Sequence, residues 1–181
     1  MTTALDGSQP AVFLDRDGTI MRDVDYCGDP QRVEIFDGVP TALRRLKAAG
    51  FKIIIITNQS GIGRGYFSEH DYRAVEAEVA RQIGPELIDA TYMCPHPPES
   101  GCACRKPAPG MILDAARDHG IDLKRSFMIG DKNIDAQCGR NAGVRSILVQ
   151  TGIHQLDGRS AADWDARDLS EATEIILRHG V

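Results

Sequence analysis

Two carboxylates, Asp15 and Asp17, stand one residue apart, directly after four apolar residues, Ala11-Val12-Phe13-Leu14, and just before a Gly18-Thr19 turn. Four consecutive apolar residues closed by a turn signal predict a strand buried on both faces. Asp15 then falls where that strand runs out, which in a parallel α/β sheet is the ligand-binding edge. Two carboxylates placed there could share one phosphoryl group and one metal ion, one serving as nucleophile and the other as acid and base. Asp-Gly is also ordinary turn chemistry and Asp a common helix cap, so the pair alone leaves function and structure evenly matched.

A second constellation is Cys94, His96, Cys102 and Cys104, three thiols and an imidazole within eleven residues. This is a closed tetrahedral set suited to Zn²⁺, with no position left for water, so the ion would be structural. Pro95, Pro97 and Pro98 exclude regular backbone here, and a metal clip is what such a loop needs. The plainer alternative is a few buried thiols in a loop. Arg105 and Lys106 follow the last candidate ligand directly. Cys27 and Cys138 read as ordinary thiols, and His70, His119, His154 and His179 as surface residues.

Positioning these groups takes an alternating α/β chain. After the first strand, residues 20–37 are irregular and polar and read as a flap or short hairpin over the strand end. Pro40 suits a first helical turn and Gly50 its end, with Ala42, Leu43, Leu46 and Ala49 spaced as an apolar face. Residues 52–56, with four isoleucines, predict the second strand, which ends in Thr57-Asn58-Gln59-Ser60-Gly61. Gly61, Gly63 and Gly65 suggest a pliable loop, and Ser68 with Asp71 a capping arrangement for a helix to about Ile83. Strands are expected at 88–93, 126–129 and 146–149, and helices at 109–119, 133–141 and 169–177. Strands alternating with helices imply a parallel sheet with right-handed crossovers. If the fourth strand returns beside the first, Asp15 and Asp131 meet at the switch point.

The chain has 181 residues, 42% hydrophobic and 26% charged, which argues for one domain with a proper core and against disorder. Its core is expected over 11–152, with a zinc loop at 94–104 and a peripheral segment at 153–181. A net charge of −5 speaks against nucleic acid as partner, but a few local cations suffice for a small anionic substrate. No apolar run approaches a membrane span and no signal-peptide pattern opens the chain. A cytoplasmic monomer with a loose leader at residues 1–10 is therefore expected.

Asp15-Arg16-Asp17-Gly18-Thr19, Thr57-Asn58, Lys106 and Gly130-Asp131 occur in the order and spacing of the haloacid-dehalogenase-like phosphatases, which the chain resembles over about residues 11–152. Thr57-Asn58-Gln59-Ser60-Gly61, the Cys/His cluster, Arg105-Lys106-Pro107 and Gly130-Asp131-Lys132 resemble more closely the branch that holds heptose-bisphosphate and histidinol-phosphate phosphatases. Ser60 and Lys132 favour the heptose side. The resemblance implies an α/β, HAD-like three-layer Rossmannoid fold with about five parallel strands, a zinc loop and no large cap domain. It also implies Mg²⁺-dependent hydrolysis of a small phosphorylated sugar through an aspartyl-phosphate.

By that resemblance Asp15 is the nucleophile and a Mg²⁺ ligand, Asp17 the general acid and base with its backbone carbonyl on the metal, and Asp131 completes the Mg²⁺ site. Thr57 and Lys106 bind the transferring phosphoryl group. Asp135, four residues after Asp131, faces the same side if the turn is helical, behind the metal ligands. Its alternative is charge complementarity at a helix N-terminus. Substrate contacts are expected from Arg16, Asp23, Val24, Asp25, Tyr26, Asn58, Gln59, Ser60, Arg105 and Lys132. Val24-Asp25 departs from the His-Gly usual before the tyrosine. A polynucleotide 3′-phosphatase and a non-catalytic phospho-acceptor domain are the remaining alternatives. The acidic balance disfavours the first, and Asp17, Thr57 and Lys106 disfavour the second.

Overall fold

A computed structural model of the chain describes residues 8–153 and 159–180; residues 1–7 of the expected leader and His154 lie outside them. Six strands form one sheet: β1 (Ala11–Leu14), β2 (Lys52–Asn58), β3 (Ala90–Cys94), β4 (Phe127–Gly130), β5 (Arg145–Val149) and β6 (Trp164–Ala166). Every pairing is parallel and the order is β3-β2-β1-β4-β5-β6. The chain builds outward from β1 in one direction, then returns to β1's other side and builds the opposite way. The switch point therefore lies between β1 and β4, which meets the condition for Asp15 and Asp131 to come together.

The helices are α1 (Val39–Ala48), α2 (Ser60–Gly63), α3 (Glu69–Ile83), α4 (Gly110–His119), α5 (Asn133–Ala142) and α6 (Leu169–His179). Alternate strand residues point to opposite faces, so the all-apolar runs feed two separate cores. Val12, Leu14, Ile53 and Ile55 pack with Leu43 and Leu46 of α1, Val75 and Val79 of α3, and Ile176 of α6. Ala11, Phe13, Ile54 and Ile56 pack with Met111, Ile112 and Ala115 of α4 and Cys138 of α5. The result is three layers. The strand interior has no polar face, which is why its four-residue runs are unbroken.

Local signals work as their chemistry requires. Ser68 and Asp71 form a reciprocal capping box on α3, with Ser68 N donating to Asp71 Oδ2 at 2.8 Å. Gly120, at φ 61°, ends α4 in the left-handed region that glycine adopts most readily. The stretch 20–37 is a short antiparallel return: Arg22 N donates to Glu34 O at 2.9 Å and Phe36 N to Ile20 O at 3.1 Å.

Three expectations change. The sheet has six strands rather than about five. The segment 153–181, read as peripheral, supplies β6 and α6, whose Ala166, Leu169, Ala172 and Ile176 are buried in the first core. The glycines after β2 do not leave a loose loop; Ser60–Gly63 closes a single helical turn, with Arg64 N donating to Ser60 O at 3.0 Å.

Candidate active site

β1 delivers Asp15 and β4 delivers Asp131, each as the first residue past its strand. Asp15 N donates to Ile129 O at 2.9 Å, which extends the ladder and fixes the carboxylate at the crevice. Asp135 arrives on the first turn of α5, where its Oδ2 accepts from Lys132 N at 3.1 Å. One carboxylate oxygen from each of Asp15, Asp131 and Asp135 lies within 4.8 Å of the others. Gly18 makes this packing feasible. It sits at φ 83°, and a Cβ there would come 2.5 Å from Asp131 Oδ2.

Two cations face this carboxylate cluster, Lys132 at its edge, 3.9 Å from Asp131 Oδ2, and Lys106 within it. Lys106 Nζ lies 2.8 Å from Asp15 Oδ1 and 2.7 Å from Asp135 Oδ1, and donates to Ile56 O at 3.0 Å. Burial alone would lower its pKa; Asp135 and Asp15 outweigh burial and push it up. Burial pushes the Asp15 carboxyl up to about 6, against the pull of Lys106. Burial, with the Asp15 charge added, pushes Asp131 up to about 8. Both side-chain oxygens of Asp131 are buried and have no hydrogen-bond partner. Desolvated, mutually repelling carboxylates with free oxygen lone pairs fit a hard divalent cation such as Mg²⁺.

Thr57, at the end of β2, is fully buried, and its Oγ1 accepts from Gln59 Nε2 at 2.8 Å. The same Gln59 amide donates to Asp17 Oδ2 at 2.9 Å. Arg16 grips Asp17 with two bonds, Nε to Oδ2 at 3.0 Å and Nη2 to Oδ1 at 3.1 Å. Asn58 braces the Lys106 backbone from both ends of its amide, donating to Lys106 O at 3.2 Å and accepting from Lys106 N at 3.1 Å.

The candidate zinc ligands converge. Cys104 Sγ lies 3.0 Å from Cys94 Sγ, 3.4 Å from Cys102 Sγ and 3.3 Å from His96 Nδ1. All five cysteines are free thiols. Three sulfurs and a ring nitrogen facing one another at such spacing match the tetrahedral donor set of a structural metal. Cys94 closes β3, so the cluster ties the proline-rich loop to the sheet edge next to Thr57 and Asn58. Cys27 and Cys138 lie apart from it, both buried.

Of the expected substrate contacts, Asp23, Asp25, Tyr26, Asn58, Gln59, Ser60 and Lys132 line one cavity of about 190 Å³, together with Asp17. Lys132 Nζ lies 3.3 Å from Asp23 Oδ2 at its edge. Three do not line it. Arg16 is only 2% exposed, with its guanidinium against Asp17 and over the Tyr72 ring. Val24 packs on the first core. Arg105 Nη1 donates to His96 O at 3.0 Å, and its side chain lines a neighbouring cavity beside Lys106 and Pro107.

The comparisons agree with this geometry. A model of the HAD-hydrolase-like family matches residues 103–172. The D-glycero-beta-D-manno-heptose-1,7-bisphosphate 7-phosphatase of Helicobacter pylori is 39% identical over 172 residues, covering 92% of this chain and 96% of its own. The protein of that name from Escherichia coli K12 is 39% identical over 182 residues, covering 94% and 95%. The chain belongs to the heptose-1,7-bisphosphate 7-phosphatase family. It is a hydrolase of the HAD superfamily that acts on phosphate monoesters. The crystal structure of the D,D-heptose 1,7-bisphosphate phosphatase of B. bronchiseptica, complexed with magnesium and phosphate, matches with a TM-score of 0.83 at 34% identity. That match covers 93% of this chain and 98% of the other.

Within this family frame, the residue types at the site were readable in advance but several partners were not. The internal engagement of Arg16, Asn58 and Gln59 had no signal, because each is a polar residue in a polar stretch. Among the described residues no helix is long and apolar enough to cross a membrane.

Proposed function

We propose that this chain removes the 7-phosphate of D-glycero-D-manno-heptose 1,7-bisphosphate by covalent catalysis at Asp15. The observation that carries the substrate is the 39% identity to enzymes of that name over nearly the whole of both chains. The chemistry is supported by Lys106 bridging Asp15 and Asp135 at the crevice between β1 and β4.

A carboxylate oxygen of Asp15 attacks phosphorus in line, forming an acyl–phosphate bond as the ester P–O bond to C7 breaks. Asp17 gives its proton to the departing C7 alkoxide. Water then attacks the phosphorus of the aspartyl-phosphate, and the ionised Asp17 takes the water's proton, so the carboxyl ends as it began. Thr57 and Lys106 meet the charge of the transferring group with a hydroxyl and an ammonium. Asp15, Asp131 and the Asp17 carbonyl would hold Mg²⁺, which when bound neutralises phosphoryl charge that the carboxylates would otherwise repel. Cys94, His96, Cys102 and Cys104 would hold Zn²⁺ as a clip on the loop that carries Lys106. The cytoplasm and a single-chain state complete the reading. Asp23, Asp25, Ser60 and Lys132 supply polar partners for the sugar.

Phosphate release from heptose 1,7-bisphosphate, histidinol phosphate and a 3′-phosphorylated oligonucleotide ranks the substrate readings. Heptose bisphosphate should give the highest kcat/KM, with the 1-phosphate retained in the product. Faster release from either competitor rejects the heptose assignment. Asp15→Asn should release no phosphate from any of the three, and Asp17→Asn should be slower by roughly a hundredfold.

A further inference from the structure

We infer that Tyr66, paired with Tyr26, forms an aromatic wall that seats the sugar ring and sets selectivity for a ring-bearing substrate; this rests on the sugar-phosphate reading above. Among the described residues four large hydrophobic side chains are exposed, and two of them meet here: Tyr26 at 49% and Tyr66 at 61%. Their rings sit edge to face with centroids 4.7 Å apart. Tyr26 lines the cavity that holds Asp23, Asp25, Ser60 and Lys132, and Tyr66 packs against Tyr26 from outside that lining.

The backbone is arranged to present these rings. Tyr26 has φ 53°, in the left-handed region that bulky residues avoid. Cys27 beside it turns inward at 2% exposed, and Val24 two residues before packs on the core, while Asp25 stays exposed at the cavity. Strain of this kind in a cavity lining points to a ligand clamp. Tyr66 is held from below. Its N donates to Gly61 O at 2.8 Å. The adjoining Phe67 ring is wedged between Gly28 of the flap and Gly61 of α2, where a Cβ on either glycine would collide with it. Phe67 thus locks the flap to the loop after β2 and fixes the distance between the two tyrosines.

A sugar ring has an apolar face of C–H bonds and an equatorial rim of hydroxyls. The cavity supplies carboxylates, a hydroxyl and an ammonium for the rim. One ring of the pair, braced edge to face by the other, supplies the flat apolar surface that the cavity otherwise lacks. Tyr26 shares its cavity with Asp17, whereas Tyr66 lies outside that lining, so truncating Tyr66 acts on binding and not on chemistry.

The test compares wild type, Tyr66→Ala and Tyr66→Phe on heptose 1,7-bisphosphate and on acetyl phosphate, which has no ring. Tyr66→Ala should raise KM for the heptose by about fivefold or more with kcat little changed, and Tyr66→Phe should restore it. Turnover of acetyl phosphate should stay within about twofold in both variants. An unchanged heptose KM in Tyr66→Ala overturns the wall. A parallel loss on acetyl phosphate also overturns it, since the residue would then be structural. A wild type inert toward heptose bisphosphate but active on acetyl phosphate instead rejects the sugar reading itself, and the wall with it.

Discussion

At the scale of single residues, Asp131 is in tension with the fold it belongs to. Its carboxyl is buried, has no hydrogen-bond partner, and lies close to two other carboxylates, with Lys132 Nζ 3.9 Å from its Oδ2. In Mg²⁺-free protein the folded chain holds on to a proton that the unfolded chain releases, because the folded pKa of about 8 stands above the ordinary 3.8. Stability from this group is therefore lost as pH rises from about 4 to about 8. Asp131→Asn removes the conflict. In Mg²⁺-free buffer near pH 8 it should be more stable than wild type by about 1–3 kcal/mol, read by thermal melting, and should lose this part of the pH slope. The same variant should show no rise in Tm on adding Mg²⁺ and no turnover. A variant melting below wild type would mean that Asp131 is a structural group. That Asp131 would meet Asp15 was legible, because both end apolar runs. That Arg16 would turn from substrate to clamp Asp17 was not. A buried arginine beside a carboxylate is decided by Tyr72, 56 residues away in sequence, whose ring it covers.

At the scale of elements, the question is how an irregular loop holds Lys106 between Asp15 and Asp135. β3 ends in Cys94, and the three remaining candidate ligands lie on backbone whose one turn of regular structure is the 3₁₀ turn Pro98–Ser100. The loop has no ladder of its own. Its fixed points include the Cys/His cluster, the two-way Asn58 brace, and the bonds Gly63 N to Pro95 O and Gly110 N to Ala103 O, each 3.0 Å. We expect purified protein to carry about one zinc per chain by metal analysis, and Cys102→Ser to lose it. The sheet should survive, with far-UV circular dichroism near wild type, because of the four residues only Cys94 is a buried core residue, and Cys102, like Cys104, packs at the margin of the second core. Activity should fall by roughly a hundredfold as Lys106 loses its anchor. Zinc-free Cys102→Ser with full kcat would show that the Asn58 brace and the loop's other hydrogen bonds suffice without the cluster. The loop's chemistry was readable because cysteine, histidine and proline are rare residues with few roles. The turn Ser60–Gly63 was misread for the opposite reason: glycine permits a helical turn without announcing one.

At the scale of the whole molecule, the site is gathered at one end of the sheet and stability is distributed along its faces. The last segment shows this division. β6 has only three residues, one of them exposed, too short for an alternating pattern to register. α6 was legible as a packing helix, but its partners were not, since they come from α1, more than a hundred residues earlier. Ile176 is fully buried between them, far from Asp15 in sequence and on the face away from α4 and α5. Ile176→Ala should cost about 3 kcal/mol, lowering Tm by roughly 6–12 °C. The kcat of the folded fraction at 25 °C should remain within about twofold of wild type, because nothing in the Asp15–Lys106–Asp135 contacts depends on this end. Thermal melting and initial rates on the same preparation decide the matter. A tenfold loss of kcat with an intact fold would mean that the C-terminal helix steers the site, and that stability and catalysis are not separable along this sheet.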